Sequence, residues 1–257
     1  MAPIVHTDSA PAFPDGVFPD TPWSDLHTPA SDTRRREMLT ELCQAYWRPV
    51  FSLVRARGAR LDDALDLTQE FFCSLLNGEG QFLDRYDAGR GRFRTFLKGA
   101  VRKFLAQDYR DRKRDKRGGS AIIISLDALG DAGSDDADMP GHGETPEDLF
   151  DRRWAETVMA HALERLQTEL TAAGKVTTFH IFVAYDLERA GGANVRYEDI
   201  AAEFGLSRDD VKNQLTRARS QLRQILLSIV SRTAATSDDA VQECDDLFSG
   251  VMREDEG

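Results

Sequence analysis

Arg208, Lys212, Asn213, Thr216 and Arg217 recur at helical spacing within residues 195–226, VRYEDIAAEFGLSRDDVKNQLTRARSQLRQIL. On one helix they share a face, together with Arg219, while Val211, Leu215, Ala218 and Leu222 form the opposite, inward stripe. The outward types suit one kind of chemistry. Long cationic donors match guanine edges in a duplex major groove, and an amide matches adenine. A plain helical hairpin with a solvated basic face is the competing reading of this segment. A second set lies in LDDALDLTQEFFCSLL, residues 61–76. Leu61, Ala64, Leu67, Phe71 and Leu75 make a buried stripe, and Asp62, Asp63, Asp66, Gln69 and Glu70 fall outside it. This acidic face suits a basic partner surface or plain solvent. A third set is basic. Arg90, Arg92, Arg94, Lys98, Arg102 and Lys103 precede the run RDRKRDKR at 110–117. Such a stripe neutralises phosphates.

The elements that must position these groups can be read from local signals. Tyr197 to Phe204 forms a first short helix, with Ala201 allowing a close helix crossing. Gly205 supplies a left-handed turn that only glycine adopts at low cost, and Leu206 plugs the small core. Ser207 caps the next helix, with Asp209 and Asp210 in its first turn. The pair is predicted to be a helix-turn-helix whose second helix can enter a major groove. Phe93, Phe96, Leu97, Ala100, Val101, Phe104 and Leu105 give residues 93–115 an apolar face for core packing, with Arg94, Lys98, Arg102 and Lys103 opposing it. The loop Asp84–Arg92 before it is rich in Gly and Asp, and could hold a base extruded from a duplex.

The net charge of −11 argues against nucleic acid only as an average, because the charges are sorted along the chain. Ala88 to Arg117 holds twelve Lys and Arg against three Asp. Gly118 to Asp148 holds eight acidic residues and no Lys or Arg, and Ala234 to Gly257 holds eight acidic residues and one Arg. A duplex feels the field within about 10 Å, so the basic block outweighs the sum. Cys43, Cys73 and Cys244 form no C-x-x-C pair and fit a reduced, cytoplasmic protein. The five histidines are scattered, so no metal site is expected. No cofactor is expected either. Neither a nucleophile elbow nor a phosphate-cradling glycine loop is present, and no catalytic residue is assigned. The N-terminus does not read as a secretory signal, and no apolar run is long enough for a bilayer, so no membrane partner is expected.

These patterns predict an all-α fold of two small helical domains joined by an acidic flexible linker. Residues 1–33 form a flexible N-terminal segment in which Trp23 could dock. Residues 34–117 form the first domain and 118–146 the linker, whose apolar cluster is AIIISL at 121–126. Residues 147–230 form the second domain, and 231–257 an acidic C-terminal tail.

Taken in order, these segments resemble RNA polymerase sigma factors of the extracytoplasmic-function type. DDALDLTQEFF is similar to that family's region 2.2, keeping Asp63, Ala64, Asp66, Leu67, Gln69, Glu70 and Phe72. FDRYDAGRGRFRTFL, allowing for Leu83, is similar to the loop and helix that melt the −10 element. YEDIAAEFGLSRDDVKNQLTRARSQLR is similar to region 4.2, which binds the −35 element. The resemblance covers about 36–117 and 150–228. It implies core RNA polymerase and promoter DNA as partners. Asp63, Asp66, Gln69 and Glu70 would dock on a clamp coiled coil of the polymerase. Arg90, Arg92, Arg94, Lys98, Arg102 and Lys103 would act at the −10 element. Arg208, Lys212, Asn213, Thr216 and Arg217 would act at the −35 element. The linker would thread the polymerase near the RNA path.

The sequence departs from the family pattern at Leu65, where Glu is common, and at Thr68, where Val is common. The segment after Val176, TTFHIFVAYDLERAGG, stands where region 4.1 belongs but does not match it residue by residue. Control could come from an anti-sigma factor or from a Ser/Thr kinase acting at Thr68. Against the kinase stands the reading of Thr68 as a tolerated small residue at the edge of the buried stripe. Two other functional classes compete: a helix-turn-helix regulator that never joins polymerase, and a polymerase-binding adaptor with degenerate DNA contacts. The 63–72 helix is what a simple regulator does not need.

Overall fold

The computed structural model describes residues 32–76, 86, 92–114, 139–231, 234 and 237–251. Residues 1–31, most of the loop at 77–91 and most of the 118–146 linker, with its AIIISL cluster, lie outside them. The described residues are helical and contain no strand. In order they form α1 (Asp32–Ala56), α2 (Leu61–Leu76), α3 (Phe93–Arg114), α4 (Pro146–Ala172) and α5 (Val176–Phe182). A π-helical turn (Val183–Leu187) follows, then α6 (Glu188–Ala190), α7 (Tyr197–Phe204), α8 (Arg208–Val230) and α9 (Ser237–Val251). The chain divides into two compact units, Met1–Thr157 and Val158–Gly257. The division falls inside α4 rather than at the expected linker edge, so the first three turns of α4 belong with the first unit.

The first unit is built by apolar stripes on α1, α2, α3 and the start of α4. Tyr46, Val50, Leu53, Ala64, Phe71, Phe72, Phe93, Leu97, Leu149 and Phe150 are all buried. Aromatic rings dominate this core. Tyr46 meets Phe93 edge-on at 5.4 Å, Phe71 meets Phe104 at 5.6 Å, and Trp47 stacks on Phe72 at 5.6 Å. Such offset and edge contacts add about 0.5–1.5 kcal/mol each beyond area burial. α1 ends where Gly58, at φ +93°, turns the chain and its N–H donates to the Arg55 carbonyl.

The start of α4 is fixed by a capping box. The Thr145 hydroxyl accepts from the Asp148 N–H at 3.1 Å, and the Asp148 carboxylate accepts from the Thr145 N–H at 3.1 Å. Pro146 stands first in the helix, where its missing N–H costs nothing. Glu144 adds a clamp, accepting from the Gly141 N–H and from two nitrogens of Arg152. The Arg152 bonds lead in holding the Glu144 carboxyl down at about 2. The final residues of the acidic segment are therefore tied to the helix that follows.

In the second unit, Val158, Ala162, Leu166, Phe182, Ile200, Leu215, Leu222 and Leu226 form the core. His161 is buried there, and desolvation pushes its imidazole down to about 4. The acidic tail is not simply a charged extension. Residues 237–251 form α9, which packs on α8 through Ala240, Cys244 and Leu247. Their spacing puts the three on one face, and Arg223 pairs with Asp245 beside them.

Candidate nucleic-acid interface

α2 and α3 carry the first unit's candidate residues. On α2, Ala64, Leu67, Phe71, Phe72 and Leu75 are buried, while Asp62, Asp63, Asp66 and Glu70 are exposed and Gln69 is half-buried. One amphipathic helix thus anchors itself in the core and presents a row of carboxylates. Asp62 and Asp63 stand in its first turn, where the helix dipole favours negative charge. Thr68 is fully buried, and its hydroxyl donates to the Ala64 carbonyl at 2.7 Å. It is a core residue rather than an edge one, and its hydroxyl is closed to a kinase while α2 is packed.

α3 divides its cations into two groups. Arg102 and Lys103 are exposed, as an outward basic face requires. Arg94 and Lys98 are half-buried instead, because the first turns of α4 cover them. Lys98 Nζ donates to Asp151 at 2.6 Å and lies 5.7 Å from the centre of the Phe150 ring. The Arg94 guanidinium sits 4.3 Å over the Trp154 ring, with its Nε 3.9 Å from Asp151. The expectation that all four oppose the packed face therefore holds for Arg102 and Lys103 only. Arg94 and Lys98 have an acid and two aromatic faces as partners, which the spacing of α3 alone could not reveal. Of the loop before α3, Arg90 lies outside the described residues. Arg92 is half-buried, and Tyr86 is buried edge-on against Phe93 at 5.1 Å.

α7, α8 and the turn between them carry the second unit's candidates. Gly205 ends α7 at φ +65° and ψ 36°, the left-handed conformation expected of it. Ser207 caps α8 in a capping box with Asp210. Val211, Leu215, Ala218 and Leu222 are buried, and Arg208, Lys212, Asn213, Thr216 and Arg217 are exposed. Leu206 is half-buried. Arg208 lies 3.3 Å from Glu198 and 5.9 Å from the centre of the Tyr197 ring. Arg219 departs from the outward expectation. Its guanidinium forms a fork on Asp186, with Nε to Oδ2 at 3.0 Å and Nη2 to Oδ1 at 2.6 Å. Asp186 is buried in the π-helical turn and went unremarked in the sequence, where nothing in its own neighbourhood marks it as a partner for α8.

Among the described residues no group of three His, Cys, Asp or Glu side chains is placed to hold a metal ion. Nor is any described helix long and apolar enough to cross a membrane. Burial and the neighbouring Cys73 push the Cys43 thiol up to about 12.

Residues 42–115 match the family model of sigma-70 region 2, a span that runs from within α1 to the end of α3. The match supports a factor of the sigma-70 family and covers less than a third of the chain. No curated protein and no solved structure matches.

Proposed function

We propose that this protein is a sigma factor of the extracytoplasmic-function type, which joins core RNA polymerase and directs it to promoters. The observation that carries the reading is the region 2 match over the α1–α3 unit, in which α2 turns Asp63, Asp66 and Glu70 outward. In this reading Asp63, Asp66, Gln69 and Glu70 dock on a basic surface of the core enzyme. Arg102 and Lys103 hold −10 phosphates. Arg94 and Lys98 contribute to the packing under α4 before they contribute to DNA. The α7–α8 pair is a helix-turn-helix that lays Lys212, Asn213, Thr216 and Arg217 along the −35 element. Their exposure on one face of a helix capped at Ser207 supports this assignment. Exposed donors can reach base edges without any buried polar group losing its partner. The working compartment is the cytoplasm, where polymerase is.

Run-off transcription tests the proposal. Core polymerase is mixed with the chain and with templates selected from genomic fragments. Discrete transcripts that require the chain, with starts a fixed distance from a shared sequence, are the expected result. DNA binding with no transcript and no association with core would make the protein a regulator that acts without polymerase.

A further inference from the structure

We propose that Asp186 is a positioning residue for DNA reading, setting the rotational angle of α8 through Arg219. The inference rests on the reading of α8 as a duplex-reading helix. Asp186 is 5% exposed and lies in the π-helical turn at 183–187, a type of irregularity that often accompanies function. Both of its carboxylate oxygens accept from the one guanidinium of Arg219. A planar fork on a planar carboxylate restricts angle as well as distance.

Two further contacts join α8 to α5, the π-helical turn and α7. Tyr185, beside Asp186, stacks on Tyr197 at 4.5 Å, and Tyr197 faces Arg208 at the start of α8. Thr178 of α5 donates to Gln214 at 2.9 Å. The anchors Gln214 and Arg219 thus flank the buried stripe of α8 on its two sides, with Lys212, Asn213, Thr216 and Arg217 on the arc between them. A roll of about 20° would move a side-chain tip about 6 Å from the axis by about 2 Å. Hydrogen bonds tolerate only about 0.5 Å, so such a roll would lose base-edge contacts and keep looser phosphate ones. Asp186 also occupies the charge of Arg219. Without it, that guanidinium would be available to a phosphate.

The test compares the full-length chain with Asp186→Asn and Arg219→Lys. Each is bound to a randomised duplex pool and to a fixed unrelated duplex, with a thermal melt alongside. The unaltered chain should select a preferred sequence. Asp186→Asn should lower that preference about tenfold, while binding to the unrelated duplex holds or rises and its salt slope steepens by about one phosphate. Arg219→Lys keeps the charge and loses the fork, so it should lose preference with little change in melting. It decides the matter if Asp186→Asn does not fold. Full preference in Arg219→Lys, or a parallel fall of selective and unselective binding in a folded Asp186→Asn, would overturn the positioning role. No preference in the unaltered chain would instead overturn the duplex-reading assignment, and this inference with it.

Discussion

Arg217 and His161 show how differently a single side chain can matter. Arg217 is exposed on α8 between the anchored residues, and in the proposed function its guanidinium reads guanine. Arg217→Ala is expected to cost about 1–3 kcal/mol of discrimination at one base position, measured by competition between single-base promoter variants. A uniform loss across all variants would assign Arg217 to phosphate. His161 acts on stability. Its imidazole takes up a proton only near pH 4 in the fold, against about 6.5 when unfolded. Between those values the unfolded chain binds more protons, so stability is full above about pH 6.5 and falls as pH drops toward 4. Chemical denaturation across that window should show a loss on the order of 2–3 kcal/mol. His161→Gln should flatten the slope.

At the scale of elements, α2 separates its packed face from its charged face cleanly. Reversing charge at Asp66 and Glu70, both exposed, should weaken association with core polymerase by tenfold or more and leave the melt nearly unchanged, as a surface ion pair carries little stability. Unaltered association, read by fluorescence anisotropy with core, would remove α2 from the interface. This division was legible in the sequence because it is periodic: Ala64, Leu67 and Phe71 fall on one stripe and Asp66 and Glu70 off it. Gly205 and Ser207 were legible for a related reason, since a left-handed turn and a cap each demand particular residue types. What escaped was pairing between elements. Lys98 with Asp151 and Arg219 with Asp186 join residues 53 and 33 positions apart, and no local rule connects them. α9 escaped because eight acidic residues in the tail masked the modest stripe of Ala240, Cys244 and Leu247.

Across the whole molecule, charge sorting and the division into two units give each candidate activity its own ground. The α2 carboxylates lie in the unit ending at Thr157, and the exposed cations of α8 in the unit beginning at Val158. Combining Asp66→Lys with Arg217→Ala should therefore give the sum of the two free-energy losses in polymerase-directed promoter binding, within about 0.5 kcal/mol. A larger deviation in a double-mutant cycle would mean that the two faces communicate. The burial of Thr68 has a consequence of another kind. Its hydroxyl is satisfied by Ala64 and enclosed by the core, so an enzyme modifying it must wait until α2 has come away. Modification at Thr68 would then be paced by how often this part of the fold opens, slowing about tenfold for each 1.4 kcal/mol that stabilises the closed form. A phosphate added there would also hold the helix open, since the core that closed over a hydroxyl has no room for a dianion. The residue would act as a latch, recording that the unit had once been open.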